Sequence, residues 1–141
     1  MKKILSVAAF MLVLGISSSA MAEQKMWLVT SLMDAASGRG AGLRTEVGSL
    51  LVDVHPNFVR SGSTNTMPLY IDAYMGLWGV AFNSTDLLGS GTNNLQLQFA
   101  AEQWINEKIG VGAACNVVDY TINSGAIGIL TGLNSYIIVA I

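Results

Sequence analysis

Between Ile129 and Ile141 the residues Ile129, Thr131, Leu133, Ser135, Ile137, Val139 and Ile141 fall on one parity, and Leu130, Gly132, Asn134, Tyr136, Ile138 and Ala140 on the other. None is charged, and the first series is mostly branched and apolar. Side chains of a strand repeat every two residues, so this pattern predicts a strand with one greasier face. The same period recurs upstream. Leu95, Leu97, Phe99 and Ala101 oppose Asn94, Gln96, Gln98, Ala100 and Glu102. Ile109, Val111, Ala113, Cys115 and Val117 oppose Gly110, Gly112, Ala114 and Asn116. Leu69, Ile71, Ala73, Met75 and Leu77 oppose Tyr70, Asp72, Tyr74, Gly76 and Trp78. Leu43, Thr45, Val47 and Leu51 oppose Arg44, Glu46 and Gly48, and this pattern blurs after Ser49.

Turn-forming clusters separate these runs, as in an all-β chain. Six strands are predicted, at 26–33, 42–54, 69–82, 94–104, 108–121 and 126–141. The segments from the second to the sixth reach the roughly 9–11 residues that a tilted membrane strand needs. The expected fold is an all-β, antiparallel, up-and-down sheet of about six to eight strands, a membrane β-barrel or a barrel-like sheet.

The polar parities carry Arg44, Glu46, Asp72, Gln96, Gln98, Glu102 and Asn134 among glycines, alanines and tyrosines. A wet face of a soluble sheet holds more charge than that. Small residues and a few opposite charges suit the inside of a narrow barrel, although an open sheet with this face in water gives the same alternation. A buried charge needs a partner, so Arg44 is expected to share a face with Asp72 and Glu102 and to pair with at least one of them. Trp27, Phe82, Trp104 and Tyr120 lie near strand ends, where aromatic rings form interfacial girdles.

Charged residues make up 11% of the 141-residue chain, against about 25% in a typical soluble domain. So few charges cannot cover a small domain unless lipid or another copy of the chain hides apolar surface. The start of the chain is read apart from the domain. Met1-Lys2-Lys3, the apolar run from Ile4 to Ile16 and the Ala20-Met21-Ala22 pattern compose a secretory signal peptide. Residues 1–22 are expected to be removed before Glu23, leaving a β domain at 23–141. The remainder is mildly acidic, without the basic stripe of a nucleic-acid-binding surface. Cys115, the only cysteine, leaves no internal disulfide and reads as a small apolar strand residue.

The segment "AAEQWINEKIGVGAACNVVDYTI" has a descending strand, a tight turn and a Gly-rich ascending strand that ends in Asp119-Tyr120. With the signal peptide and the final descending segment, it resembles a small bacterial outer-membrane β-barrel protein. That resemblance covers about the last third of the chain. It implies an antiparallel barrel, an even strand count and insertion into the outer membrane from the periplasm. The chain departs from the pattern by ending in Ile141 instead of an aromatic residue, and by showing six strands where single-chain bacterial barrels begin at eight. The implied topology also puts both Ile105–Glu107 and His55–Met67 on the periplasmic side, and the second is long for such a turn. Either a pair of strands is missed, or several chains close one sheet together, or the protein is not a barrel.

Candidate chemistry is sparse. His55, the single histidine, could serve a lipid hydrolase with Ser49 or Ser61 as nucleophile, but no spacing supports that arrangement. One His and one Cys do not make a transition-metal site without converging carboxylates. The glycine-rich run from Asp34 to Gly42 lacks the Lys-Ser/Thr of a phosphate loop and reads as a turn. No catalytic, cofactor-binding or metal residue is therefore assigned. The expected role is structural or surface-interacting and non-enzymatic, with outer-membrane lipid as partner. The alternative is a periplasmic or extracellular soluble β-protein that binds an apolar ligand or self-assembles.

Overall fold

The structure, a computed structural model, describes residues 25–32 and 40–141. The expected signal peptide and most of the glycine-rich run from Asp34 lie outside the described residues. Among the described residues ten strands occur in chain order: β1 (Met26–Ser31), β2 (Ala41–Val47), β3 (Leu50–Pro56), β4 (Val59–Ser61), β5 (Thr64–Thr66), β6 (Leu69–Met75), β7 (Trp78–Ser84), β8 (Asn93–Trp104), β9 (Ile109–Thr121) and β10 (Ile127–Ala140). Eight of them close into an antiparallel barrel in the order β1-β10-β9-β8-β7-β6-β3-β2, and β4 and β5 form a separate two-stranded ribbon.

Two of the predicted strands are hairpins. Val47 pairs with Leu50 across Gly48-Ser49, and Met75 pairs with Trp78 across Gly76-Leu77. Gly48 and Gly76 have φ of +64° and +63°. Glycine at the first central position of a two-residue turn allows that conformation without a Cβ clash and matches the twist of the flanking strands. The apolar runs continue on both sides of each turn, so a long strand and a tight hairpin look alike in sequence. Splitting both runs raises the count from six to eight. The sheet then closes within one chain, with β1 paired to both β10 and β2.

The turns also reset the faces. Trp78, expected beside Tyr70, Asp72 and Tyr74, instead points outward, 52% exposed, with its ring edge-on to Phe99 at 5.3 Å. His55–Met67 moves to the opposite end from Ile105–Glu107. One end of the barrel now holds the three tight turns, at 48–49, 76–77 and 105–108, together with Met26 and Ile141. The other end holds the longer connections, including the β4–β5 ribbon.

The strands are strongly tilted. Tracing paired residues from Ile129 through Val118, Leu97, Val80, Ala73, Val52, Thr45 and Met26 returns to β10 at Ile141, where Ile141 N donates to Met26 O at 3.2 Å. A circuit that re-enters its first strand at the far end is the stagger a closed barrel requires. Bulges adjust two strands at one level. Val117 is the extra residue of β9 against β8, and Leu130-Thr131 is the irregularity of β10 against β9. After its bulge β9 turns Asp119 towards Gln96.

Candidate functional site

The lumen is the polar side of this barrel. Alternation along each strand sends Arg44, Asp53, Asp72, Tyr74, Gln98 and Tyr136 inward, each at most 4% exposed. Arg44 is held by two carboxylates. Its Nε and Nη2 donate to the two oxygens of Asp53 at 2.5 and 2.8 Å, and its Nη1 donates to Glu102 Oε1 at 2.7 Å. The same Glu102 oxygen accepts the Tyr136 hydroxyl at 2.8 Å. The guanidinium carbon lies 5.9 Å from the Tyr74 ring centre and 5.7 Å from that of Tyr136, so two aromatic rings flank the cation. Arg44 thus shares its face with Asp72 and Glu102, as expected, and pairs with Glu102. Asp53, whose face the blurred pattern left unassigned, is its other partner.

An amide network continues from this layer towards the loop end. Tyr74 Oη donates to Gln98 Oε1 at 2.8 Å, Gln98 Nε2 to Asn116 Oδ1 at 2.9 Å, and Gln96 Nε2 to Asp119 Oδ2 at 2.8 Å. Val29 and Ile138 add apolar contact within the same layers. Small residues make room for the rings. A Cβ on Gly112 would fall onto the Tyr136 ring, and one on Gly79 onto the Tyr74 ring. Gly112 and Gly79 are therefore slots into which lumenal rings fold, and Gly110 and Gly42 lie likewise against the rings of Trp104 and His55. A space of about 10 Å³ remains between Asp53, His55, Asp72, Tyr74 and Asn134, room for about one water. At the turn end the lumen opens as a basin of about 880 Å³ lined by Lys25, Trp27, Trp104 and Glu107.

The sequence-derived candidates separate in space. His55 is in the lumen near the loop end, 4% exposed. Ser49 sits in the β2–β3 turn at the other end of β3, and Ser61 in the exposed β4–β5 ribbon. The fold does not bring either serine beside His55 along the sheet. Cys115 pairs with Phe99 and Leu133 on the outward parity of β9. Among the described residues no group of three or more His, Cys, Asp or Glu side chains converges to hold a metal. Of the four expected girdle aromatics, Phe82 and Tyr120 lie on the outward parity, paired with Leu95. Trp27 and Trp104 instead lie on the lumenal parity at the turn end, which places them around the basin.

The outer surface is apolar. Leu133 is 70% exposed, Ile129 73%, Ile127 69% and Val80 60%, with Leu43, Leu95, Leu97 and Phe99 also outward. Ile137 and Val139 share that parity by register with Val111 and Ile109. Buried ions and amides within, and exposed aliphatic side chains without, invert the arrangement of a water-soluble domain. No protein-family model matches the chain, and no curated protein or solved structure matches it. The geometry itself therefore defines the class: a closed, eight-stranded antiparallel β-barrel with a polar, filled lumen.

Proposed function

We propose that the chain is exported and that its barrel resides in a bacterial outer membrane, as a non-enzymatic protein with a structural or surface-interaction role. One observation carries this reading: the inverted distribution of polarity. Arg44, Asp53, Asp72 and Gln98 are at most 2% exposed, whereas Ile129 and Leu133 are at least 70% exposed. Burial of an ion pair in the lumen is tolerable because both signs and their hydrogen bonds are present. Exposure of aliphatic side chains around the barrel is tolerable because lipid replaces water there. Closure supports the reading further, since a barrel leaves no unpaired sheet edge in the hydrocarbon. The self-assembling alternative needs such edges, and the main sheet has none to offer. The Arg44 layer fills the lumen, so the barrel works through its outer surface and its loop end and does not act as an open pore.

Fractionation of cells expressing the full chain tests the reading. The processed protein is expected in the outer-membrane fraction, released by detergent and retained through high salt. Recovery of folded protein from the periplasm or medium without detergent would overturn it.

A further inference from the structure

Five barrel strands are short. β1 has 6 residues and β2, β3, β6 and β7 have 7 each, against 12 to 14 in β8, β9 and β10. At about 3.3 Å per residue and a tilt near 40°, seven residues rise only about 18 Å along the barrel axis. The apolar band of a membrane barrel is about 25 Å tall. On the β3–β6–β7 side something beyond the strands must cover the difference.

Paired backbone continues the wall at the loop end. Asn57 N donates to Pro68 O at 3.0 Å, and the β4–β5 ladder comes next with Val59 opposite Thr66. The loop after β7 docks on the same arm, with Leu87 N donating to Met67 O at 2.8 Å. Asp86 Oδ1 accepts from the backbone N–H of Met67 at 3.1 Å and of Leu88 at 3.3 Å. These donors are satisfied within the protein, the condition for lying at a membrane boundary. The extension carries Phe58 and Leu88 at 76% and 79% exposure, while Leu87 is buried at 8%.

The register sets the heights. The paired path from Ile129 reaches β3 at Val52, and it slopes towards the turn end as it goes. The position level with Ile129 on the β3 arm therefore lies several residues beyond Val52, in the neighbourhood of Phe58. Ile129 and Phe58 thus mark one height on two sides of the barrel, and Arg60 stands two residues later.

We infer that Phe58 and Leu88 form the loop-end rim of the lipid-facing band, at the boundary between acyl chains and headgroups, with Arg60 among the headgroups. The inference rests on the membrane reading above and adds where the bilayer ends on the short-strand side. An apolar ring and an aliphatic side chain, with a cation two residues beyond the ring, suit that boundary, where the apolar groups enter the acyl region and the guanidinium meets phosphate.

Spin labels placed singly in a Cys115→Ser background test it, with the protein refolded into phosphatidylcholine vesicles. The labelled variants are Phe58→Cys and Leu88→Cys, beside Leu133→Cys as a lipid reference and Asn65→Cys as a water reference. Collision with oxygen, which concentrates in acyl chains, is compared with collision with a water-soluble nickel chelate. Labels at 58 and 88 are expected to favour oxygen several-fold over the label at 65. If both match the label at 65 while 133 still favours oxygen, the rim assignment is overturned and the membrane reading stands. If 133 also favours the nickel chelate, the membrane reading itself fails. Shielding of 58 and 88 from both agents would mean that protein covers them, which also overturns the assignment.

Discussion

An arginine with 2% of its surface exposed is stable only where carboxylates meet it, and Arg44 meets two. Arg44→Ala would leave Asp53 and Glu102 facing each other across the lumen without a cation. The expected loss is about 3–5 kcal/mol, read from urea unfolding of the vesicle-inserted barrel. Arg44→Lys is expected to recover only part, because an ammonium cannot make the two-pronged contact with Asp53. Gly112 carries a different constraint. Gly112→Ala would push a methyl group into the Tyr136 ring, at an expected cost of about 1–3 kcal/mol. In a Tyr136→Ala background the same substitution should cost much less, since the ring it strikes is gone. Equal costs in both backgrounds would dissociate the glycine from the ring. The Arg44–Glu102 pair was legible in the sequence because both residues fall on polar parities of clearly alternating runs. Its partner Asp53 was not, since the Gly48-Ser49 turn reverses the chain inside an unbroken apolar stretch.

Among the elements, β8, β9 and β10 were the most legible. Each is long, and each alternates over most of its length, so counting by two separates the outward and inward sets. The β2–β3 and β6–β7 hairpins were hidden because their turns take only two residues and apolar side chains flank them directly. Bulges were hidden for a related reason: one extra residue flips every later side chain, and Val117 looks like any other strand valine. Leu130 carries the β10 irregularity with φ of 52°, a conformation its residue type does not advertise. The outward face of β10 gives the sharpest test at this scale. Leu133 is 70% exposed, so burial in a protein core is not at issue. Leu133→Arg is expected to cost about 2–4 kcal/mol if the position lies near the bilayer midplane. Asn65→Arg, on the exposed ribbon, should stay within about 0.5 kcal/mol. Unfolding titrations of the two variants in vesicles would show the contrast, and its absence would put Leu133 in water.

At the scale of the whole molecule, closure of the sheet governs both the lumen and the outer surface. Pairing of β1 with β10 joins residues more than a hundred positions apart, as in the Ser31 Oγ hydrogen bond to Asn134 Oδ1 at 2.9 Å. Local alternation does not encode such a pairing, so an open sheet, a barrel of several chains and a single-chain barrel all fitted the alternation, and only the low charge of the polar faces favoured a barrel. Once the sheet is closed, the low charge content has a physical reading. Arg44, Asp53, Asp72 and Glu102 are directed inward, the exposed charges Lys25, Glu46, Arg60, Glu107 and Lys108 lie towards the two ends, and the outside of the wall is left to apolar residues. On the proposed membrane reading, lipid is the solvent for this surface. Refolding of the chain from Glu23 to Ile141 by dilution out of urea, with and without phospholipid vesicles, measures this directly. Sheet circular dichroism, together with a faster-migrating unheated band on gels, is expected only when vesicles or detergent are present. A monomeric, fully folded barrel in plain buffer would contradict the assignment of the outer surface to lipid.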